Sequence, residues 1–331
     1  MTDYRGVLII GEIVEDNLAA ITLELLGCGR MLADKMDEGL SGLLLGSEVK
    51  NLASEAIAYG ADEIYVVEDP LLEDYQSDLY LTEVEKTVKQ LMPKIVLIGQ
   101  TPMGRDLAPR LGFRMQAAVL MDCVELDIDD TGNLLQIRPV YGGNARAVFT
   151  AETRPQISTV RSKAMSPPER DGSREGEIIE VKPEIDPSIM RTKILEKVQE
   201  EITGLKIEDA DIIVTGGRGI GGPEGFEQLE ELAGLLKGAV GATRPVVDSG
   251  WCPFSKQVGL TGKVVAPDLY IAVALSGSSQ HMAGCSGAKN IVAINSDPQA
   301  NIFKEASFGI VGDWKKAIPS FLEKVRELLK D

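Results

Sequence analysis

The sequence predicts an α/β protein: an N-terminal parallel-sheet α/β domain with added antiparallel strands, followed by a doubly wound α/β domain. Three observations carry this. Short apolar runs alternate with helical patterns at β–α spacing over residues 4–112, and again from Asp209 onward. Between 118 and 160 the helical patterns give way to closely spaced strand-like runs separated by turns. The interval 162–190 is rich in Pro, Gly and charge, which marks a linker or surface excursion. The expected domains are 1–204 and 205–331, and 331 residues suffice for two.

Residues 4–14 (YRGVLIIGEIV) read as the first strand, bounded by Glu15 and Asp16, with a helical pattern to about Met36. Gly42–Gly46 is a short buried strand, Val49–Tyr59 an amphipathic helix ending at Gly60, and Glu63–Val67 a strand. Thr82–Leu91 is helical and stopped by Pro93; Ile95–Ile98 is a strand, and Arg105–Gly112 a helix. Strands at 118–128, 134–140, 146–151 and 156–160, with turns at Thr131-Gly132-Asn133 and Gly142-Gly143-Asn144, are expected to add antiparallel pairing at the sheet edge. Arg191–Thr203 is expected to be a connecting helix.

In the second domain, strands are expected at 211–215, 245–248, 269–274, 291–294 and 309–311, with helices at about 223–237, 277–287, 298–306 and 315–329. The run Ile212-Ile213-Val214 breaks into Gly216-Gly217-Arg218-Gly219-Ile220-Gly221-Gly222 before a helix. Strand, glycine loop, helix is the order that turns backbone N–H groups toward a phosphate. Two more glycine-rich turns, 257–263 (QVGLTGK) and 276–281 (SGSSQH), flank later apolar runs. All three should meet outside the carboxyl ends of the strands, where open α/β sheets bind ligands.

Arg218, set among glycines, is either a cation for a phosphate or flavin, or a surface Arg in a turn. His281 is the only histidine; with no second His, and no ligand set beyond a lone Cys285 four residues on, it makes no metal site, and it reads as a satisfied ring or as a donor to a ring ligand. Thr261 offers a hydroxyl with little bulk around it. Asp248, at the end of the expected strand Val246-Val247-Asp248, stands where a dinucleotide fold holds a ribose, although GGRGIGG is not GxGxxG. Asn295 and Asp313 end two later strands and would bind a ligand edge or cap the next helix. Gly104-Arg105-Asp106 reads more simply as a helix start than as an anion site.

Composition narrows the class. Hydrophobic residues make up 44% and charged residues 26%, as in ordinary globular proteins. No apolar run reaches the roughly 18 residues of a membrane helix, and the N-terminus carries no export signal. Four scattered cysteines, Cys28, Cys123, Cys252 and Cys285, point to reduced thiols in the cytoplasm. A net charge of −17 disfavours nucleic acid and anionic membranes. A phosphate ligand would therefore need local cations, for which Arg218, Arg244 and Lys263 are candidates.

Together these residues resemble the α subunit of electron transfer flavoproteins. The resemblance rests on Gly216–Gly219 (GGRG), Ala242-Thr243-Arg244, 257–263, 276–281, 291–298 (IVAINSDP) and 310–313 (IVGD), with GQTPMGRDLAPRL and RPVYGG in the first domain, and spans essentially the whole chain. It implies a heterodimer with an electron transfer flavoprotein β subunit, and FAD held by the second domain. Electrons would pass between a dehydrogenase of the acyl-CoA type and an acceptor. In the electron-bifurcating relatives from anaerobes, NADH and ferredoxin or flavodoxin also take part. By the same resemblance FAD would meet Arg218, Thr243, Arg244, Gln257, Val258, Gly259, Leu260, Thr261, Ser276, Gly277, Ser278, Ser279, Gln280, His281, Asn295, Asp297, Asp313 and Trp314. Thr261 would face flavin N5, His281 the pyrimidine carbonyl side, and Arg244 would favour the anionic one-electron-reduced ring. Leu260 stands where the family usually has Gln, and Thr243 where Ser is usual; residues 162–176 form a longer and more irregular segment than the family leads one to expect. The alternatives are a nicotinamide-dependent dehydrogenase, resting on one glycine loop and Asp248, and a nucleotide-sensing domain pair.

Overall fold

The computed structural model describes residues 4–143, 145–197 and 205–329. The chain falls into two compact units, Met1–Val140 with Ala145–Lys197, and Tyr141–Asn144 with Val198–Asp331.

In the first unit the order is β1 (Val7–Ile10), a short ribbon of β2 (Ile13–Val14) and β3 (Asn17–Leu18), α1 (Ala20–Met36), β4 (Leu40–Gly46), α2 (Ala53–Ala58), β5 (Glu63–Glu68), α3 (Ser77–Leu91), β6 (Ile95–Gly99), α4 (Pro102–Met115), β7 (Val119–Cys123), β8 (Glu125–Ile128), β9 (Leu134–Val140), β10 (Ala145–Phe149), β11 (Gln156–Val160) and β12 (Glu177–Glu180). Seven strands form one sheet in the order β12-β5-β4-β1-β6-β11-β7, each neighbouring pair parallel. The central strands are unbroken apolar runs because helices cover both faces: Ile9 and Leu97 pack on one side with α1, Leu8 and Val96 on the other with α3 and α4. α1 ends at Asp37, left-handed at φ 55°, whose N–H returns to the Ala33 and Asp34 carbonyls. Thr101 caps α4 by accepting from the Gly104 N–H, with Pro102 in the first turn.

Two placements differ from expectation. The antiparallel strands exist, but as a separate sheet, β10-β9-β8, rather than as an edge of the large one. Residues 156–160 instead run parallel between β6 and β7, fully buried. Their alternating QISTV composition does not tell a parallel slot from an antiparallel one. The 162–190 excursion is also better anchored than its composition suggests: β12 completes the sheet beside β5. The residues before it lie across α1 and α2. Lys163 and Met165 N–H groups donate to the buried Glu24 carboxylate at 2.9 and 3.4 Å, Arg170 pairs with Glu55 and Arg174 with Asp62. Residues 191–197 are not helical, and 198–203 of the expected connecting helix lie outside the described residues.

The second unit contains β13 (Ile212–Gly216), α5 (Phe226–Leu235), β14 (Ala239–Ala242), α6 (Arg244–Asp248), β15 (Leu269–Val273), α7 (Ser279–Cys285), β16 (Asn290–Asn295), α8 (Ile302–Glu305), β17 (Phe308–Val311) and α9 (Trp314–Leu328). Its five strands are all parallel, in the order β14-β13-β15-β16-β17. One core layer gathers Phe226, Leu229, Trp314 and Ile318; the other gathers Ile213, Tyr270, Met282 and Ile302. Residues 245–248 are a correction: they form α6, not a strand. Thr243 is extended, Pro245 sits in the first turn, and the strand is the preceding small-residue run Ala239–Ala242. Among the described residues no helix is long and apolar enough to cross a membrane.

Candidate functional site

A cleft of 620 Å³ opens at the carboxyl edge of the second sheet, within the usual size of small-molecule sites, about 300–1,000 Å³. Arg218 and Gly219 enter it after β13; Thr243, Arg244 and Pro245 after β14; Ala274 to Ser278, Gln280 and His281 after β15; and Asn295 and Asp297 from β16 onward. The loop residues Val258 to Thr261 close one wall, with Ala300 near β16 completing it. The three glycine turns thus meet as expected, and their glycines act largely by letting the turns pack on one another. A Cβ at Gly284 would stand 2.4 Å from Gly259 Cα, so α7 rests directly on the 257–263 loop. Gly277, at φ 71°, lies so close to the Ile302 backbone N that a Cβ would approach it to 2.4 Å.

A second hollow of 440 Å³ adjoins the cleft, sharing Gly219, Ala274 and Asn295 with it and adding Gly221, Ser296, Gly312, Asp313, Trp314 and Lys315. Asp313 and Trp314 therefore face this hollow and not the main cleft. Asp313 also caps α9 by accepting from the Lys315 N–H. Trp314 is buried, and its Nε1–H donates to the Gly219 carbonyl at 3.2 Å, fixing the loop that carries Arg218.

The charges sort clearly. Arg218 is exposed at the cleft rim. Arg244 is exposed and lies 3.3 Å from Asp248 one turn on, which makes Asp248 its helical partner rather than a ribose ligand at a strand end. Lys263 pairs with Glu208 and does not line the cleft. Asp297 lies on the wall, its carboxylate accepting from the Gln299 N–H. Two arginines and one carboxylate therefore line the cleft, with Asp248 beside Arg244 offsetting part of its charge.

Several expected contacts are partly used within the protein. Gln257 is buried behind the loop, donating to the Thr261 hydroxyl at 3.2 Å, and does not line the cleft; neither does Ser279. The Asn295 amide donates to the Leu275 carbonyl at 2.8 Å, tying two strand ends together. Leu260 is 66% exposed, held by its N–H to the Gln280 carbonyl. The Thr243 hydroxyl makes no capping bond with α6. His281 is the main surprise. It lines the cleft yet is only 6% exposed, with Nδ1 3.2 Å from the Val258 carbonyl and Nε2 3.0 Å from the Tyr270 hydroxyl. Both ring nitrogens are engaged, so the ring has no free N–H for a ligand carbonyl. Burial lowers its pKa to about 4, the Val258 bond opposing. Sequence reasoning missed Pro245, Ala274, Leu275 and Ala300. Of these, Ala274 adopts a left-handed φ of 52°, a conformation nothing in Ala-Leu-Ser announces.

These residues fit a flavin dinucleotide. The cleft and its adjoining hollow would give it length, Arg218 and Arg244 would offer charge to phosphates or a reduced ring, and Thr243, Thr261, Ser276 and Ser278 would offer hydroxyls.

Comparison with known proteins agrees. Residues 7–186 match the model of the electron transfer flavoprotein domain, and 206–286 that of the electron transfer flavoprotein FAD-binding domain. The chain is 46% identical over 329 residues to the electron transfer flavoprotein subunit alpha of Thermoanaerobacterium thermosaccharolyticum, covering 99% of this chain and 100% of that one. It is 41% identical over 331 residues to the subunit alpha of Megasphaera elsdenii, covering 99% and 98%. To protein FixB of Clostridium saccharobutylicum it is 40% identical over 332 residues, again covering 99% and 98%. An open, arginine-bearing cleft at the edge of a parallel sheet and kinship along nearly the whole length lead to one conclusion: the chain belongs to the electron transfer flavoprotein α-subunit family, whose cofactor is FAD.

Proposed function

We propose that this chain is the FAD-holding subunit of a heterodimeric electron carrier, paired with an electron transfer flavoprotein β subunit through its N-terminal domain (1–204). It takes electrons from an acyl-CoA dehydrogenase-type partner or from NADH and delivers them to an acceptor. The observation that carries this reading is the cleft in which Arg218 and Arg244 meet the Thr243 and Thr261 hydroxyls.

Bound FAD supplies the redox chemistry; the chain's residues hold it and set its charge environment. Arg218 and Arg244 attract phosphate or a negatively charged ring by Coulomb force, which is stronger in a partly dry cleft than in water. Thr261, oriented by Gln257, presents its hydroxyl from the loop wall. Trp314 holds the glycine loop in place from behind. Four buried free thiols fit a cytoplasmic protein. We also propose electron bifurcation, with ferredoxin or flavodoxin as a second acceptor, on the strength of the resemblance to relatives from anaerobes.

The test is cofactor analysis of the co-purified pair. Flavin absorption and one FAD per α chain are expected. A colourless pair that takes up no added FAD would end the reading. Two flavins per heterodimer would support bifurcation; one flavin with one AMP would count against it. The nicotinamide-dehydrogenase alternative loses its main support with Asp248 paired to Arg244 on a helix. Tight binding of a nicotinamide dinucleotide by the isolated chain would revive it.

A further inference from the structure

We propose that Tyr270 is a positioning residue that acts through His281 to keep the imidazole at the cofactor cleft uncharged, so that the ring adds nothing to the charge that the arginines and aspartates present to the ligand. The inference rests on the FAD reading of the cleft. It begins from a fully buried phenol: Tyr270 on β15 is 0% exposed. A buried hydroxyl requires a partner, and here the hydroxyl oxygen lies 3.0 Å from His281 Nε2.

The proton positions follow from the partners. The Val258 carbonyl can only accept, so Nδ1 carries the hydrogen and donates across 3.2 Å. Nε2 then has only its lone pair to offer, and the Tyr270 hydroxyl donates to it. A second ring proton would have to displace this hydroxyl hydrogen in a site almost without water. The other groups around the ring do not favour a cation. Cys285, one turn along α7, is a neutral thiol whose Sγ lies 3.6 Å from the His281 carbonyl; its pKa is raised to about 12, mainly by burial, against an opposing interaction with the Tyr270 hydroxyl and with a smaller push from Glu305. The Thr215 hydroxyl also faces Tyr270 and carries no charge. The same cleft is lined by Arg218 and Arg244, which repel a further positive charge, and by the carboxylate of Asp297, with Asp248 beside Arg244.

The consequence is electrical. An ordinary histidine changes charge near pH 6.5, within the physiological range. Such a change beside a redox cofactor would make its reduction depend on pH through a group that takes no part in the transfer. Burial does most to suppress that dependence, and the Tyr270 hydroxyl on Nε2 reinforces it.

His281 is the sole histidine of the chain, so isotope-labelled histidine gives one set of ring resonances. In the full chain, a neutral ring protonated on Nδ1 is expected from pH 8 to 5. The Tyr270 hydroxyl proton should be protected from exchange and scalar-coupled to Nε2. Tyr270→Phe removes one oxygen and leaves Nε2 without its donor, so the histidine midpoint should rise by roughly one pH unit. In the co-purified complex, the variant's reduced-to-oxidised ratio at fixed potential should rise several-fold more than the wild type's between pH 8 and 5. A wild-type ring that titrates between pH 6 and 7, a missing Nε2 coupling, or an unchanged midpoint in Tyr270→Phe overturns the proposal. The first two need no variant, so misfolding of Tyr270→Phe leaves the test intact. A chain without FAD whose histidine behaves as expected would sink the cofactor reading and leave the Tyr270–His281 pair standing.

Discussion

The two parallel sheets of this chain offer the same kind of crevice and treat it oppositely. In each, successive crossovers diverge at a switch point, between β1 and β6 in the first unit and between β13 and β15 in the second. In the first, the protein fills the gap with its own acid. The Glu12 carboxylate accepts from the Thr101 hydroxyl at 2.7 Å, its oxygen lies 2.7 Å from where a Cβ on Gly99 would stand, and the Glu12 N–H donates to Thr22 at 2.7 Å. In the second, the corresponding edge is an open cleft flanked by arginines. Topology supplies a place for a ligand; the residues at the strand ends decide whether it is taken by a cofactor or by the chain.

The largest effect that would sharpen this contrast is at Trp314. Truncation to Ala removes a buried ring and the bond to the Gly219 carbonyl, and should cost the second unit about 3–5 kcal/mol. Denaturant unfolding should show that loss in one transition while the first unit's stays in place; a shift of both would merge the units.

Next come two buried ionisable groups of opposite sign. His281 has a folded value of about 4, below the ordinary 6.5, so the unfolded chain binds the proton first. The second unit should lose up to about 3 kcal/mol as pH falls from 6.5 to 4. Glu24 in the first unit is raised from 4.5 to about 7, mainly by burial. Its contribution is complete below pH 4.5 and disappears as pH rises through 7, again up to about 3 kcal/mol. Stability–pH curves for Glu24→Gln and His281→Gln should each flatten the matching slope; curves that keep it assign the slope to other groups.

Arg244→Ala is a smaller change. The side chain is exposed, so about 1 kcal/mol is at stake, which is about 40 mV for one electron. The first reduction potential should fall by that amount with FAD affinity nearly unchanged, as spectroelectrochemistry and cofactor titration would read. Smallest is Glu12→Gln. Burial raises the Glu12 carboxyl above its ordinary value, the Thr101 bond opposing, so the neutral amide should stabilise the first unit slightly at pH 8, the gain vanishing at pH 4. A loss at pH 8 would mean that the crevice requires the charge.

Much of the architecture was legible because it is local. Unbroken apolar runs such as 95–98 and 291–294 announced doubly covered strands, and glycine turns announced the edge where a ligand sits. What escaped was non-local or a matter of partners. The Val246-Val247 pair reads as a strand until Thr243 and Pro245 are seen to start a helix, while Ala239–Ala242 is too small in its side chains to look like a strand. Nothing in QISTV says that it slots between β6 and β7. The site residues were nameable, but their commitments were not. Gln257 serves Thr261 within one loop, while Asn295 serves Leu275 and His281 serves Val258 and Tyr270 across bonds that only folding brings together.

The indole bonded to the Gly219 carbonyl also gives the molecule an optical reporter. The chain has two tryptophans, Trp251 and Trp314, and the second lines the hollow beside the cleft. Flavin absorbs where indole emits, so arrival of the cofactor should dim Trp314 fluorescence. With Trp251→Phe as background, the rate of that dimming times the filling of the pocket without any added dye.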